Sequence, residues 1–526
     1  MRKISANSAR LWSALTGVVA VLGVLAVAEV AALVVGTESS PFFAVGQLAI
    51  DLSPLWLKEG MIALFGTADK AALFVILAIV VLVAAALAGI LERRRPPLGI
   101  AVFVTFSGIA VVAIMTRPGS SAAWAFPTVL GMVAGVVVLR LSQQRLAAWA
   151  DAADRQPVAA DVERVTAAPS LERRQFFRFV GVGAAVALVA GLGARAMNAS
   201  TRAVTAIRSS IMLPAAALPA PPIPAGASLA IEGISPLITA NTDFYRIDVA
   251  LQVPQINPDD WSLRITGLVA QEINISYAEL LALPLVEHTT TIACVSNDVG
   301  GDLIGTATWL GYPIRELLAR ARPDASADMV LSSGPDGFTA GTPLSALTDP
   351  ARESLLAVGM NGEVLPSEHG FPARMIVPGL FGYVSATKWV TEMRVTRFAD
   401  DQGYWTPRGW SALGPVKTSS RMDVPRPNAS VAIGTVPIAG VAWSQHIGIS
   451  KVEVQVDDGP WQLATLSTPI SDDTWVQWVL NWEATAGDHI LTVRATDKTG
   501  YTQTADYAPP APNGSTGWTR RKVTAR

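Results

Sequence analysis

The sequence predicts a chain with transmembrane α-helices in its first part, an α+β domain in the middle and an immunoglobulin-like β-sandwich after it. Three observations support this prediction. Long uncharged apolar runs fill the first two hundred residues, helical and strand patterns then mix without regular βαβ order, and short alternating strands follow residue 426. At 526 residues the chain is also too long for one ordinary domain.

The composition indicates that part of the chain lies in lipid, and it excludes several classes of protein. Hydrophobic residues make up 51% of the chain and charged residues 16%, against about a quarter charged in soluble domains. A net charge of −2 argues against a nucleic-acid partner. The single cysteine excludes an intrachain disulfide and a cysteine-cluster zinc or iron–sulfur site, and four scattered histidines argue against haem.

Residues 1–200 are predicted to form a membrane domain with about five transmembrane helices. Four apolar runs reach the roughly 18–20 residues that a helix needs to cross the hydrocarbon core, and a fifth is shorter. The runs are residues 11–35, 71–91, 98–115, 122–139 and 176–192. The apolar stretch 41–65 contains charged residues and a proline, and we interpret it as interfacial or re-entrant.

The positive charges predict the orientation of these helices. Arginine and lysine residues precede the first and fifth runs and follow the second and fourth, so five crossings place them all on one side of the membrane. Because positive charge marks the cytoplasmic side, the amino terminus is expected inside and everything after the fifth helix outside. This pattern predicts a multi-pass protein of a bacterial plasma membrane with an extracytoplasmic domain.

A second signal overlaps the fifth run. Residues 170–178, with the pair Arg173 and Arg174 followed by aromatic residues, resemble a twin-arginine export signal, a route for proteins that fold around a cofactor before crossing. Positive-inside charge ahead of a helix explains the same arginines. Cleavage near residues 194–196 would release the exported part, and we favour retention of the helix.

Three segments follow the membrane domain. Residues 201–228 are rich in proline and alanine and predict an extended linker. Residues 229–420 predict the α+β domain. Residues 426–510 predict the immunoglobulin-like domain, on the strength of a hairpin pattern at 451–466 with an Asp-Gly turn, and residues 511–526 are assigned to a tail.

Two parts of the α+β domain carry candidate chemistry. Cys294 ends a predicted strand and opens a glycine-containing loop, which suits a ligand that approaches the backbone, although a lone thiol is more often buried and inert. In residues 369–389 (HGFPARMIVPGLFGYVSATKW), a histidine, an arginine and a lysine lie among glycines and apolar residues. Because arginine binds phosphate through paired hydrogen bonds and lysine supplies a point charge, this segment suits an anionic, phosphate-bearing cofactor.

These two segments, with residues 241–246 (NTDFYR), resemble the molybdopterin domain of the sulfite oxidase family. The middle domain is therefore expected to have the sulfite-oxidase-type molybdopterin fold. The immunoglobulin-like domain resembles that family's dimerisation domain. The resemblance implies a molybdenum–molybdopterin cofactor and two-electron oxygen-atom transfer on a small oxyanion or an S- or N-oxide.

Carried over to this sequence, the resemblance assigns each motif residue a role. Cys294 is expected to ligate molybdenum, and Arg246 occupies the position of an arginine that binds the substrate anion. The residues expected to hold the pterin and its phosphate are Asn241, Phe244, Tyr245, Cys294, His369, Arg374, Gly382, Ser385, Thr387 and Lys388. Asp298 follows Asn297 where sulfite oxidases carry an arginine, so sulfite is a doubtful substrate.

The expected partners follow from the same reasoning. No His-Pro-Gly-Gly haem segment is present in the sequence, so no haem is expected, and electrons are expected to pass to a separate partner, a quinone or a cytochrome. A small-molecule substrate, membrane lipid and a second copy of the chain in a homodimer complete the expected partners.

Two alternative functions stay open, namely an S-oxide or N-oxide reductase of the same fold and a non-catalytic cell-surface binding module.

Overall fold

The computed structural model forms two compact units, Met1–Arg202 and Ala203–Arg526, each with its own buried apolar clusters. The described residues are 6–35, 39–54, 57, 60–61, 64–65, 69–117, 120–154, 174–175, 177–178, 181 and 199–526.

The described part of the first unit is helical. Its helices are α1 (Ala6–Val35), α2 (Pro41–Leu52), α3 (Asp69–Arg94), α4 (Leu98–Met115) and α5 (Phe126–Asp154). Of the described residues, four helical segments are long and apolar enough to cross a membrane: Asn7–Ala32, Lys70–Arg94, Leu98–Met115 and Ala122–Asp151. The four long predicted runs are thus confirmed as apolar helices.

The other predictions for this unit concern shorter segments. Helix α2 lies in the stretch interpreted as interfacial or re-entrant, and its 12 residues give a length of roughly 18 Å, too short to cross the hydrocarbon core. The predicted fifth run, residues 176–192, and the predicted export signal, residues 170–178, lie for the most part outside the described residues.

Helices α1 and α3 approach each other at two glycines. A Cβ at Gly17 would overlap the carbonyl oxygen of Ala85, and a Cβ at Gly89 would overlap that of Ser13. Gln143 of α5 donates a hydrogen bond from Nε2 to the Gly89 carbonyl oxygen at 2.8 Å. Small residues and polar contacts of this kind hold apolar helices together where the hydrophobic effect between them is weak.

Most of the predicted linker, residues 201–228, lies against the rest of the second unit. The Ala217 amide donates to the Leu285 carbonyl oxygen at 2.7 Å. Just beyond the linker, the Leu229 amide donates to Gln477 Oε1 at 2.6 Å. Backbone hydrogen bonds therefore tie this region to both the middle and the last part of the unit.

The middle part of the second unit mixes strands with short helices, as an α+β domain should. Helix α6 (Ala199–Ser210) begins just before this unit. The elements that follow are β1 (Ser262–Gly267), β2 (Ile273–Ser276), α7 (Tyr277–Leu281), β3 (Val286–Ala293), β4 (Ile304–Pro313), α8 (Ile314–Ala321), β5 (Met329–Ser333), β6 (Thr339–Pro343), α9 (Leu344–Thr348), β7 (Leu355–Met360), β8 (Glu363–Val364), β9 (Arg374–Ile376) and β10 (Glu392–Thr396). Helix α7 begins at a capping box in which the Ser276 and Glu279 side chains bond to each other's backbone amides.

These strands form two five-stranded sheets around one core. The first has the order β2-β1-β10-β5-β6, and the second has the order β3-β4-β7-β8 with β9 paired to β7. Leu263 and Val395 of the first sheet and Trp309 and Leu356 of the second belong to a single cluster of buried side chains. The second sheet carries the site described below, because Cys294 follows β3 and Arg374 begins β9.

The last part of the chain forms two further sheets. Its strands are β11 (Ser419–Val424), β12 (Ser430–Val431), β13 (Gly434–Trp443), β14 (Ile449–Val456), β15 (Gln462–Leu463), β16 (Thr465–Leu466), β17 (Val476–Ala484), β18 (Gly487–Asp497) and β19 (Thr519–Ala525). The sheet orders are β11-β13-β17-β16 and β12-β19-β18-β14-β15. Buried residues from both sheets, among them Trp478 and Val454, share one core.

Two features of this part differ from the sequence prediction. The hairpin expected at residues 451–466 pairs β14 with β15, but β16 leaves it and pairs with β17 in the other sheet. Residues 511–526, assigned to a tail, include β19, which lies between β12 and β18. Because β19 is paired with a strand on each side, these residues belong to the sheet and do not form a free tail.

Replacing Gly17 by leucine should separate α1 from α3, because its Cβ would occupy the position of a backbone carbonyl group. We expect the unfolding free energy of the first unit to fall by about 1–3 kcal/mol. Thermal unfolding of the purified protein in detergent measures this change. The matched control is Gly108→Leu in α4, which is exposed and has no atom within 4 Å of its Cβ position. Equal destabilisation by the two substitutions would contradict the prediction.

Candidate active site

Cys294 opens a loop that is fixed by its own hydrogen bonds. Its amide donates to the Leu303 carbonyl oxygen at 2.9 Å, and its carbonyl oxygen accepts from the Asn297 amide at 3.1 Å. The Asn297 side chain accepts from the Leu303 amide at 2.9 Å and so joins the two ends of the loop. Burial raises the pKa of the Cys294 thiol, although hydrogen bonds from Ser296 oppose that rise. A thiolate at this position therefore needs a partner such as a metal ion.

Residues from the last part of the chain hold the same loop from the other side. Ser515 Oγ donates to the Asn297 carbonyl oxygen at 2.7 Å. Arg421, on β11, donates from Nη1 to the Gly301 carbonyl oxygen at 2.9 Å. The cysteine loop is thus positioned by two parts of the second unit that lie far apart in the sequence.

The segment 241–246 contacts the histidine of the second motif. The buried Phe244 ring stacks on Tyr245 with ring centroids 5.3 Å apart and meets the His369 ring edge-on at 5.6 Å. His369 Nε2 lies 2.9 Å from the Asn241 carbonyl oxygen, to which it donates. Burial lowers the pKa of His369 to about 4, so the imidazole is neutral at pH 7.

Arg374 is a buried cation beside this segment. Its Nη1 donates to the His369 carbonyl oxygen at 3.0 Å, and its guanidinium lies 5.1 Å from the centre of the Trp309 ring. Burial lowers its pKa to about 10, so it stays charged at pH 7. Within the described residues, no carboxylate lies at ion-pair distance from Arg374. Burial raises the pKa of Tyr245, as does the nearby Cys294, while the nearby Arg374 opposes the rise, so Tyr245 lies close to both groups.

Lys388 belongs to a second group of charges. Its Nζ donates to Asp248 Oδ2 at 2.7 Å and to the Glu368 carbonyl oxygen at 3.1 Å. Arg246 Nε donates to the same Asp248 oxygen at 3.0 Å. Burial lowers the pKa of Lys388 to about 8, with Asp248 opposing the change. Burial also raises the pKa of Asp336, which lies near Lys388 and Asp248, to about 6.

A glycine allows Arg374 and Lys388 to approach each other. Gly370 has a φ of 117°, a conformation that other residues rarely adopt. A Cβ at this position would lie 3.0 Å from Arg374 Cβ and 3.2 Å from Lys388 Cα. Both the backbone conformation and the available space therefore require glycine between the two cationic residues.

The turn between β9 and Lys388 is held by internal hydrogen bonds. Ser385 Oγ donates to a backbone carbonyl oxygen four residues earlier at 2.9 Å, and Thr387 Oγ1 bonds to Ser332 Oγ at 2.7 Å. A Cβ at Gly382 would lie 3.8 Å from the Ala293 carbonyl oxygen, so this turn runs beside the residue that precedes the cysteine.

The structure thus brings the three predicted segments close together. The structure differs from the expectation at Arg246, because the guanidinium of this residue is hydrogen-bonded to the Asp248 carboxylate. Sequence reasoning missed Asp248, Asp336 and Trp309. An acid two residues after Arg246 was a usable signal for Asp248, whereas Asp336 and Trp309 approach the site only through the sheets.

These residues can hold an anionic cofactor. Arg374 presents a desolvated charge without a carboxylate partner among the described residues, and an anion would supply the missing counter-charge. Cys294 adds a soft sulfur ligand nearby.

Comparison with known proteins assigns a family to the part of the chain that contains most of these residues. Residues 250–405 match the family described as the oxidoreductase molybdopterin binding domain. The matched stretch contains Cys294, His369, Arg374 and Lys388, whereas the segment 241–246 precedes it. The site therefore belongs to a molybdopterin-binding domain.

The chain is similar to mitochondrial sulfite oxidase of Homo sapiens, at 30% identity over 321 residues, covering 52% of this chain and 58% of that protein. Sulfite oxidase of Gallus gallus is 29% identical over 308 residues, covering 49% of this chain and 66% of that protein. The solved structure of the sulfane dehydrogenase SoxCD from Paracoccus pantotrophus aligns at 23% identity with a TM-score of 0.48, covering 56% of this chain and 82% of that one. Residues 250–405 therefore carry an oxidoreductase molybdopterin binding domain, and the chain is similar to these two sulfite oxidases, of whose length it spans less than two thirds.

The neutral state of His369 predicts a pH dependence of stability. Because its pKa falls from 6.5 to about 4 on folding, the unfolded chain binds a proton between these pH values that the folded chain does not. The contribution of His369 to stability should therefore fall by up to about 3 kcal/mol as the pH drops through this window. Denaturant unfolding at pH 7 and pH 4.5 tests this against His369→Gln, which keeps an N–H donor. A difference between the two proteins that does not change with pH would contradict the prediction.

Proposed function

We propose that this protein is a membrane-anchored molybdenum-cofactor oxidoreductase that transfers an oxygen atom to or from a small substrate outside the cytoplasm. The observation that carries the proposal is the buried guanidinium of Arg374, which has no carboxylate partner in the described part of the chain. The free thiol of Cys294 lies in the same site. A phosphate-bearing cofactor with a thiolate-bound metal would satisfy both groups.

The cofactor roles follow from the contacts of each residue. Cys294 would ligate molybdenum, and because its free thiol has a raised pKa, metal binding must displace a proton. The residues proposed to hold the pterin and its phosphate are Asn241, Phe244, Tyr245, His369, Arg374, Gly382, Ser385, Thr387 and Lys388. When bound, the cofactor supplies two-electron oxygen-atom transfer.

The chain's own residues would bind and orient the cofactor and would exclude water from the site. Arg374 offers a charge that is already desolvated, so an anion pays little further reorganisation there. The Phe244 and Tyr245 rings form an apolar wall beside it. Arg246 is proposed to face the substrate. Oxidation of a substrate consumes one water molecule and releases two protons and two electrons, and reduction of the oxygenated product is the reverse.

The electrons would pass to a separate partner, a quinone or a cytochrome. The four apolar helices support an anchor in a bacterial plasma membrane, with lipid around them and the second unit outside the cytoplasm. The two sheets of the last part of the chain are proposed to form an immunoglobulin-like domain through which two copies associate. A reductase of S-oxides or N-oxides and a non-catalytic binding module are the alternatives.

Molybdenum content tests the proposal. We expect near-stoichiometric molybdenum, measured by mass spectrometry, in wild-type protein from a host that makes the cofactor. Cys294→Ser should change the coordination of the metal and abolish activity, because a serine oxygen is a harder ligand than a thiolate. Wild-type protein from such a host that contains neither molybdenum nor pterin would leave only the binding module.

Arg374→Gln should lower the amount of bound pterin at least about tenfold, because the proposed phosphate ligand loses its charge. Fluorescence of the released, oxidised pterin measures the bound amount. The matched control is Arg394→Gln, which removes an arginine on β10 of the other sheet whose partly exposed side chain pairs with Asp401. Pterin content near that of the wild type in Arg374→Gln would contradict the proposed role.

A further inference from the structure

The charges around Lys388 bear on which substrate the site accepts. We infer that Asp248 is a specificity-determining residue that neutralises Arg246, so that the site takes an uncharged oxygen donor or acceptor, such as an S-oxide or its sulfide, rather than an oxodianion. This inference rests on the proposed function, in which Arg246 faces the substrate.

The contacts of Asp248 leave its carboxylate no freedom to withdraw. Its side chain is 2% exposed, and one oxygen, Oδ2, accepts from Arg246 Nε at 3.0 Å and from Lys388 Nζ at 2.7 Å. The Arg246 side chain is 36% exposed, so its outer edge reaches solvent while its Nε is held inward. An anion that pulled Arg246 away would take a charged partner from this buried carboxylate, and removing one partner of a buried ion pair is strongly destabilising.

The balance of charge in the site points the same way. At pH 7 the three cations are Arg246, Lys388 and Arg374. Asp248 is bonded to both Arg246 and Lys388, whereas Asp336, with a pKa of about 6, lies near Lys388. Asp248 thus pairs with both Arg246 and Lys388, which leaves Arg374 as the cation of this group without a carboxylate at ion-pair distance among the described residues. The proposed cofactor phosphate takes that charge, so a substrate dianion would find no unpaired cation within this group of five residues.

The cysteine loop adds a negative charge rather than a positive one. Asp298 is exposed on this loop and accepts from the Tyr507 hydroxyl at 3.3 Å. The cation of the last sheets that contacts the loop, Arg421, is paired with Asp423 at 2.8 Å. Like charge raises the free energy of an incoming anion, whereas an uncharged substrate is unaffected.

A double-mutant cycle with sulfate as an unreactive oxodianion tests the inference. The proteins are the molybdenum-loaded wild type, Asp248→Asn, Arg246→Gln and the double variant, and the readout is the dissociation constant of sulfate by calorimetry at pH 7 and constant ionic strength. Asp248→Asn should bind sulfate at least about tenfold more tightly than the wild type, because Arg246 is released. Arg246→Gln should stay within about threefold of the wild type, and the double variant should lose the gain.

A matched control separates a specific effect from a general one. Asp336→Asn removes another buried acid near Lys388 that makes no contact with Arg246 among the described hydrogen bonds, and it should stay within about threefold of the wild type. An equal gain in Asp336→Asn, or no gain in Asp248→Asn, would overturn the inference. If Asp248→Asn fails to load cofactor, Arg246→Gln decides alone, since a tenfold loss of sulfate affinity there would overturn it. Absence of molybdenum from the wild type is a different result, which rejects the proposed function itself.

Discussion

The burial of a positive charge at Arg374, with no carboxylate beside it in the described part of the chain, is the constraint on which the site depends. Removing a guanidinium from water costs several kcal/mol unless hydrogen bonds or a counter-charge compensate. Here the carbonyl oxygen of His369 accepts one hydrogen bond and the Trp309 ring lies beside the charge, so compensation is partial. The remaining positive potential can attract an anion such as the proposed cofactor. The neighbouring residues must therefore keep other anions out of that position.

The second five-stranded sheet fixes where that potential lies relative to the thiol. Strand β3 pairs with β4 as far as Ala293 opposite Ile304, β4 pairs with β7, and β7 pairs with β9 through Ala357 opposite Arg374. The separation between the cysteine loop and the guanidinium is therefore set by strand register. A shift of one residue in the register of any strand pair would turn the side chains of that strand to the other face of the sheet. The apolar residues that hold the register therefore also maintain the position of the guanidinium relative to the cysteine loop.

The sequence predicted what depends on local pattern and missed what depends on tertiary contact. The four apolar runs, the strand before Cys294 and the motif around Arg374 each carry a local signal, and each lies where it was expected. Asp248 bound to Arg246 was not anticipated, because an aspartate in an irregular segment reads as solvated until its burial is known. Strand β19 was also missed, because Thr519–Ala525 contains three basic residues and shows no clear alternation until β12 and β18 lie beside it.

The hydrogen bonds from Ser515 and Arg421 to the cysteine loop bear on how such a protein can evolve. The recognisable domain ends at residue 405, yet the backbone of its cysteine loop is anchored by residues beyond that limit. The two parts are consequently not interchangeable modules. Recombination could join this domain to the last two sheets of a distant relative, but those sheets would present a surface that fits a different loop. Selection should therefore keep the two parts together during descent.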